Sequence, residues 1–379
     1  MSWSERLSLI AVLLAVGALV VAMSARGSGG ARAARRLIST WTTSIAGSAG
    51  SFPEPDTRGE LIAFVANPTK PGARELREAA VAACSARSMP PPLWFETTLQ
   101  DGGVGQTRAA IERGATAVVA VGGDGTVRAV AEALAGSGVP MGLIPQGTGN
   151  LLARNLDLPL ANTVELLRLA LTGTGRTIDV GWLRVVRDGL TESDEPPRDH
   201  IFLVIAGVGF DAAMVADTDE DLKARVGWIA YFVAGARHLH GRRLRLRLQV
   251  DDSPHQSVQV RSLLIGNCGR LPGGITLLPD AVLDDGWFDI GAIDTRGGLV
   301  GWAQLFGEVV LQGIGVRTGL PGKIGRIDHL RARRLHVSAD RPEAVQVDGD
   351  TLGFARELTV RIDPGALIVR VPRQTPTGH

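Results

Sequence analysis

The sequence has few of the residues and motifs that mark disulfides, metal sites and common nucleotide-binding folds. It has two cysteines, Cys84 and Cys268, outside any CxxC pair, which is typical of reduced thiols in a cytosolic protein. Its seven histidines include no HExxH pair. The lack of a GxxxxGK[ST] loop and of a strand–GxGxxG–helix segment argues against P-loop NTPases and NAD-dependent dehydrogenases. A net charge of +1 gives no support to nucleic-acid binding.

The N-terminal region contains an uncharged apolar segment, Leu7–Met23, whose only polar side chain is Ser8. As a helix these 17 residues would be roughly 25 Å long, slightly shorter than a bilayer core. Arg26, Arg32, Arg35 and Arg36 follow it with no acid between them, which places the rest of the chain on the cytoplasmic side. We expect a transmembrane anchor over residues 1–25 and a flexible linker over 26–59; a cleaved signal peptide is the alternative.

Residues 60–180 alternate short apolar segments with helical ones. Strands are predicted at Leu61–Ala66, Thr116–Val121 and Val139–Pro145, with a helix over Ala73–Ala86 after the first. Continuous apolar strands separated by helices indicate a parallel sheet covered on both faces, and ligands bind such sheets at the carboxyl ends of the strands. We therefore predict an α/β nucleotide-binding domain here.

Residues 181–371 have a different pattern, of short alternating or apolar segments separated by Gly, Pro and Asp. It predicts an antiparallel β-sandwich, and leaves open whether the last strands pack back on the first domain. One helix is predicted over 222–239, and 372–379 form a tail. The predicted strands are 243–250, 257–266, 287–293, 335–339, 344–348, 358–362 and 366–371.

Two glycine-rich loops follow the second and third predicted strands: GGDGT at Gly122–Thr126 and PQGTGN at Pro145–Asn150. Backbone N–H groups at a helix N-terminus bind anions, and glycine lets phosphate oxygens approach them. The carboxylate of Asp124 inside such a loop implies Mg²⁺ or a proton to be moved. A tight turn with a capping aspartate is the alternative reading of GGDGT alone.

These loops belong to a set of motifs that resembles the diacylglycerol kinase/sphingosine kinase family of lipid kinases, which share a phosphofructokinase-like nucleotide domain. The resemblance runs from about residue 61 to 371. It is carried by NPTKPG (67–72), VGGDGTVRAV (121–130), IPQGTGNLLARNLDLP (144–159), GVGFDA (207–212), LPDAVLDDGWFDI (278–290) and VQVDGD (345–350).

The resemblance implies ATP and Mg²⁺ as cofactors and assigns roles to individual residues. Asp179 falls where the family has an acid near the active site, and Asp348 belongs to the motif that carries the general base. A regulatory or structural Mg²⁺ site would use Val282, Asp285 and Trp287. Nucleotide contacts are implied for Asn67, Thr69, Thr98, Gly122, Gly123, Asp124, Gly125, Thr126, Val127, Arg128, Gly147, Thr148 and Asn150.

The chain departs from the family at the expected general base. The family's motif is Asp-Gly-Glu, whereas this chain has Asp348-Gly349-Asp350, whose last side chain is one methylene shorter. A general base must lie within roughly 2.6–3.2 Å of the hydroxyl that it deprotonates. We expect Asp350 to be the base, with Asp124 as the second catalytic carboxylate.

These features together predict a membrane-anchored lipid kinase whose partners are a lipid substrate and the membrane. Arg243, Arg245 and Arg247 share one strand face that could meet anionic headgroups or simply solvent. Residues 228–235 could line an acyl-chain pocket or form ordinary core. A pseudokinase acting as a nucleotide or lipid sensor and a soluble-substrate kinase of the NAD kinase type are the alternatives. The acceptor lipid and the oligomeric state, a homodimer included, stay open.

Overall fold

A computed structural model describes residues 59–188, 198–209, 243–270, 276–295 and 325–373. The predicted anchor, linker, tail, helix 222–239 and the aromatic segment 228–235 lie outside the described residues. In the part that is described, no helix is both long enough and apolar enough to cross a bilayer. Both cysteines are buried, and no disulfide joins them.

The N-terminal part is a parallel sheet with helices between its strands. The strands are β1 (Ile62–Ala66), β2 (Leu93–Glu96), β3 (Ala117–Gly122) and β4 (Met141–Pro145), and they lie in the order β4-β3-β1-β2. Strands β1 and β3 are buried along their whole length, which explains their apolar sequences. The helices are α1 (Ala73–Ala86), α2 (Val104–Glu112), α3 (Asp124–Leu134), α4 (Leu151–Asn155) and α5 (Thr163–Thr172).

The C-terminal part is antiparallel and packs around a second apolar core. Phe202, Leu246, Ile265, Phe288 and Leu335 are among its buried side chains. Its described strands are β5 (Thr174–Asp188), β6 (Asp199–Phe202), β7 (Ile205–Gly209), β8 (Leu244–Val250), β9 (Gln256–Val260), β10 (Ser262–Gly266), β11 (Phe288–Thr295), β12 (Gly325–Ala332), β13 (Arg334–Val347) and β14 (Asp350–Val371).

One long strand, β14, joins the two parts into a continuous sheet. It pairs with β13 and β5 along much of its length, and near its end Val369 lies opposite Met141 of β4 in parallel register. The described strands therefore form a single hydrogen-bonded sheet in the order β12-β11-β10-β7-β13-β14-β4-β3-β1-β2, with β5, β6, β8 and β9 paired beside it. The fold is an α/β domain followed by an antiparallel β-sandwich domain, as predicted.

Most element predictions are confirmed, and the differences have simple causes. Helix α1 has the predicted bounds. The predicted strand 257–266 is divided at Arg261 into β9 and β10, which pair with different neighbours. The predicted segments 335–339 and 344–348 are both in β13, and 358–362 and 366–371 are both in β14, because register shifts interrupt strands that continue. Strands β2, β5, β6, β7 and β12 and helix α5 were not predicted from the sequence.

Candidate active site

The first glycine loop joins β3 to α3 at the carboxyl end of the parallel sheet. Gly122 ends the strand, Gly123 is the N-cap, and the 11-residue helix α3 begins at Asp124. Thr126, in the first turn, is buried. The amides of this turn and the positive end of the helix dipole form a surface suited to phosphate.

The second glycine loop follows β4 and is held in shape by its own side chains. The Gly147 amide donates to Asn150 Oδ1 at 2.9 Å, and Arg154 Nε donates to the Gly149 carbonyl at 2.7 Å. Asn150 has a left-handed backbone, with φ of 49°, where the chain turns into α4. Thr148 at the tip of the loop is exposed.

Asp124 fastens the two glycine loops to each other. Its carboxylate accepts hydrogen bonds from the Asn150 amide at 2.9 Å and the Leu151 amide at 2.6 Å. The Gln146 amide also donates to the Gly122 carbonyl, at 2.7 Å. Burial raises the pKa of Asp124, whereas the two amides act in the opposite direction. The carboxylate that the sequence analysis expected to hold Mg²⁺ is therefore engaged in joining the loops.

Glycine is required in the second loop because the loops touch. A Cβ on Gly147 would lie 2.9 Å from the Cα of Gly123, and a Cβ on Gly149 would lie 2.7 Å from Asp124 Oδ2. Both distances are shorter than a side-chain carbon can tolerate. The two glycines of PQGTGN thus allow the second loop to contact the first, and they would also let a ligand approach the backbone.

The other predicted nucleotide residues lie at the ends of β1 and β2, beside β3 in the sheet. Asn67 follows β1, and its Oδ1 accepts from the Thr69 amide at 3.0 Å and the Thr69 hydroxyl at 2.8 Å. Thr98 follows β2, and its hydroxyl oxygen accepts from the Asp101 amide at 3.0 Å. The structure thus places Asn67, Thr69 and Thr98 along the same edge as the glycine loops.

The predicted base lies next to the first glycine loop. Asp348 and Gly349, with φ of 46° and 88°, form a two-residue turn between β13 and β14, and Asp350 opposite Val347 begins β14. The Asp350 carboxylate forms an ion pair with Arg128 of α3, and its Oδ2 would lie 3.7 Å from a Cβ built on Gly125. Two segments more than 200 residues apart in sequence thus meet at one place.

Asp348 points in the opposite direction, into the protein. Its carboxylate accepts from three consecutive amides: Leu203 at 2.7 Å, Val204 at 2.9 Å and Ile205 at 2.9 Å. Burial raises its pKa to about 6, although the amides and Arg128 act in the opposite direction. Asp348 therefore anchors the turn that presents Asp350.

Asp179 makes a separate set of hydrogen bonds, with backbone groups. Its side chain is buried, and its two oxygens accept from the Gly286 amide at 2.6 Å and the Gly365 amide at 2.8 Å. The Asp179 amide donates to the Leu283 carbonyl at 2.7 Å. These contacts fix the 283–286 turn against β5 and β14; no contact with the glycine loops is found among the described residues.

The predicted Mg²⁺ site at Val282, Asp285 and Trp287 lies in the turn before β11, where the Asp285 carboxylate has protein partners. Asp285 Oδ1 accepts from the Trp287 amide at 3.0 Å, and Oδ2 contacts the Arg331 guanidinium. The neighbouring Asp284 accepts two bonds from Arg176, at 3.0 and 2.9 Å. Within the described ranges no group of three His, Cys, Asp or Glu side chains is placed to hold a metal.

Two parts of this site are absent from the sequence analysis. Arg128 was assigned to phosphate alone, and its pairing with Asp350 was missed. A second contact joins α4 to residue 270: the Asn155 amide group donates to the Arg270 carbonyl at 2.8 Å, and Arg270 donates to Asp157. The Asp-Gly pair was the available signal for the turn, since that pair favours two-residue hairpins.

Comparisons with known proteins identify the family of both domains. Residues 62–183 match the model of the diacylglycerol kinase catalytic domain, and residues 204–371 match the YegS C-terminal NAD kinase beta sandwich-like domain. The chain is 32% identical over 321 residues to a Pseudomonas aeruginosa protein named "Probable lipid kinase YegS-like", covering 84% of this chain and 96% of that protein.

A diacylglycerol kinase of Mycobacterium tuberculosis is 31% identical over 270 residues, which are 70% of this chain and 80% of that protein. Among solved structures, a diacylglycerol kinase from Bacillus anthracis superposes with a TM-score of 0.61 at 21% identity, over 84% of this chain and 97% of that one. At that identity the superposition shows the fold alone. Fold and sequence together define a lipid kinase of two domains. The chain belongs to the family of YegS-like and diacylglycerol kinase-like lipid kinases.

Proposed function

We propose that this chain transfers the γ-phosphoryl group of MgATP to a hydroxyl of diacylglycerol or a related lipid, at the cytoplasmic face of a membrane. The observation that carries the proposal is the Asp124 carboxylate, which holds the two glycine loops together beside Asp350. This arrangement places an anion-binding surface and a candidate base side by side, which is what phosphoryl transfer to an alcohol needs.

The donor fits the edge formed by four parallel strands. The phosphates would lie on the amides of Gly122–Thr126 and of the second loop, and the remainder of the nucleotide would extend toward Asn67 and Thr98. The Mg²⁺ of the reaction would enter bound to ATP, as MgATP. Main-chain donors suit this task because they are fixed before the charge develops.

Asp350 would act as the general base on the acceptor. In the proposed step the acceptor hydroxyl oxygen forms a bond to the γ-phosphorus while the bond to the β,γ-bridging oxygen breaks. The hydroxyl proton passes to the Asp350 carboxylate, and ADP leaves with the electron pair of the broken bond. The exposed position of Asp350 allows an acceptor to approach from solvent or from a membrane surface.

A lipid acceptor is supported by the family and by the surface of the second domain. Arg245 and Arg247 alternate with buried leucines on β8 and are exposed. Each could contribute about 1 kcal/mol on contact with an anionic membrane surface. We propose that the N-terminal apolar segment holds the kinase at this surface, where its acceptor is dissolved.

The proposal is tested by incubating the full chain with labelled MgATP and diacylglycerol in mixed micelles. Labelled phosphatidic acid is the expected product. Asp124→Ala should reduce its formation by at least about a hundredfold, because the loop amides lose their shared acceptor. Asp350→Asn should cause a similar loss without weakening ATP binding. Asp252→Asn is the matched control, since Asp252 is exposed and distant in the sequence from every site motif.

The same assay separates the alternatives. Transfer to NAD and not to any lipid would favour a soluble-substrate kinase, and ATP binding without transfer to any acceptor would favour a sensor. A total lipid extract in place of diacylglycerol, followed by chromatography of the labelled products, would identify the acceptor. Undiminished phosphorylation by the Asp124→Ala variant would contradict the role given to the loops.

A further inference from the structure

Arg128 connects the nucleotide loop to the candidate base. It lies on α3 one turn after Asp124, so the two side chains share a face of the helix. Its Nη2 contacts Oδ2 of Asp350, at the start of β14. The pair therefore links the helix that begins at the first glycine loop to the strand that begins at the Asp-Gly turn.

The contact differs from an ordinary surface ion pair. The Arg128 side chain is only 20% exposed, whereas that of Asp350 is 55% exposed. A mostly buried guanidinium has lost much of its freedom before the contact forms, so it can fix the direction of an exposed carboxylate. The contact uses one oxygen of Asp350, and within the described part of the chain no hydrogen bond reaches Oδ1.

We propose that Arg128 is a positioning residue for Asp350. Its guanidinium holds Oδ2 above the first turn of α3 and leaves Oδ1 for the acceptor hydroxyl. This inference rests on the proposed function and deepens it. The role explains how the short aspartate side chain is kept at the phosphate loop: the long arginine reaches out from the loop side and fixes the carboxylate there.

Several charged groups surround this pair and will contribute to the pH dependence of kcat. Asp124 and Glu132 lie on α3, Asp348 lies in the turn, and Arg198 and His200 come from β6 and the residue before it. Burial lowers the pKa of His200, and the charges of Arg198 and Arg128 lower it further. Arg198 is paired with Glu132 at 3.1 Å. Arg128 is therefore one of several cations near β6, but it is the one that contacts Asp350.

A double-mutant cycle on the full chain tests the assignment. The variants are Arg128→Met, Arg128→Lys, Asp350→Asn and the double variant Arg128→Met/Asp350→Asn. Glu132→Gln is the matched control, because it breaks an ion pair one turn further along α3 that does not include Asp350. Each protein is measured for kcat and lipid KM over a range of pH, for binding of a fluorescent ATP analogue, and for its urea unfolding midpoint.

A positioning role predicts a specific pattern. Arg128→Met should lower kcat about 10- to 100-fold with ATP-analogue affinity within about threefold of wild type, and lysine should restore part of kcat. In the Asp350→Asn variant, adding Arg128→Met should change kcat by less than about twofold, because the carboxylate that Arg128 positions is gone. Glu132→Gln should stay within about twofold of wild type.

Other patterns would overturn the assignment. A tenfold loss of ATP-analogue affinity with unchanged kcat, or losses that multiply in the double variant, would make Arg128 a phosphate ligand only. Failure of the proposed function gives a different result: wild-type protein would bind the ATP analogue and phosphorylate no lipid. In that case the urea unfolding midpoints still test the contact between Arg128 and Asp350. Shifts of the two single variants that do not add up to the shift of the double variant support the contact, and additive shifts refute it.

Discussion

The Asp348 carboxylate accepts a hydrogen bond of 2.7 Å from the amide of Leu203, 145 residues earlier in the chain. The bond belongs to a set of three that joins the turn between β13 and β14 to the residues at the start of β7. Asp348 thus holds the turn in place, and Asp350, the expected base, extends from the turn toward the first glycine loop.

Replacing Asp348 by alanine should destabilise the protein by about 3–5 kcal/mol, because three buried amides lose their acceptor together. Asp348→Asn keeps one acceptor oxygen and should lose less, about 1–3 kcal/mol. Urea unfolding monitored by circular dichroism measures both values. Equal stability of the two variants would contradict the importance of the remaining oxygen.

Replacing Gly149 by alanine should weaken ATP binding at least about tenfold, because the new Cβ would meet Asp124 Oδ2 at 2.7 Å and separate the loops. Gly102→Ala is the control: its Cβ would make only an ordinary 3.8 Å contact with Ala129. Titration with a fluorescent ATP analogue compares the two variants. Similar affinities would argue that the loops need not touch for binding.

Replacing Arg270 by methionine should cost about 1–2 kcal/mol of stability and raise the KM for ATP. Arg270 Nη2 donates to the Asn155 carbonyl at 2.9 Å, and this contact supports the helix that follows the second loop. Arg74→Met is the control, since its pair with Glu78 joins side chains that are 90% and 71% exposed, and such pairs contribute little. Thermal unfolding and steady-state kinetics measure the two effects.

Asp289 should make stability fall as the pH rises from about 4 to 6. Burial raises the pKa of this carboxyl to about 6, and Asp280 adds to the shift. The native state therefore holds the proton in an interval where the unfolded chain releases it, so the free energy of unfolding decreases with pH there. Asp289 is 1% exposed, and its Oδ2 lies 3.8 Å from Arg331 Nε but accepts no hydrogen bond among the described residues.

The variant Asp289→Asn should remove the part of this pH dependence that comes from Asp289, while the part that comes from Asp348 remains. At pH 8 it should be about 1–2 kcal/mol more stable than wild type, and at pH 4 the two should be equal, since both side chains are then neutral. Urea unfolding across the pH range provides the comparison. Greater stability of wild type at pH 8 would show that the ionised carboxylate has a partner that stabilises it.

The sequence predicted what depends on local pattern. Helix α1 and strands β1, β3 and β4 follow from continuous apolar segments and helical spacing, and the glycine loops stand where such strands end. Strand β5 was missed because Thr174–Asp188 mixes glycines and charges with its apolar residues. Its stability comes from pairing with β14, a partner nearly 200 residues away, which no local pattern reveals.

The same limit applies to the site. The residues of both glycine loops could be named from sequence, but the Asp124 contact with the Asn150 and Leu151 amides depends on how β3 and β4 align. The Arg128–Asp350 pair depends on the path of β14 beside β4. An aspartate in a phosphate loop suggests a metal ligand, whereas here backbone donors of the next loop occupy its oxygens.

Because β14 begins at Asp350 and ends beside β4, a single strand connects the proposed base to the strand that precedes the second glycine loop. Its pairing with β13 and β5 contains register shifts but extends along much of its length. A hinge between the two domains would have to bend this strand or break its pairing with β4, so we expect the base and the loop to keep their relative position when substrates bind.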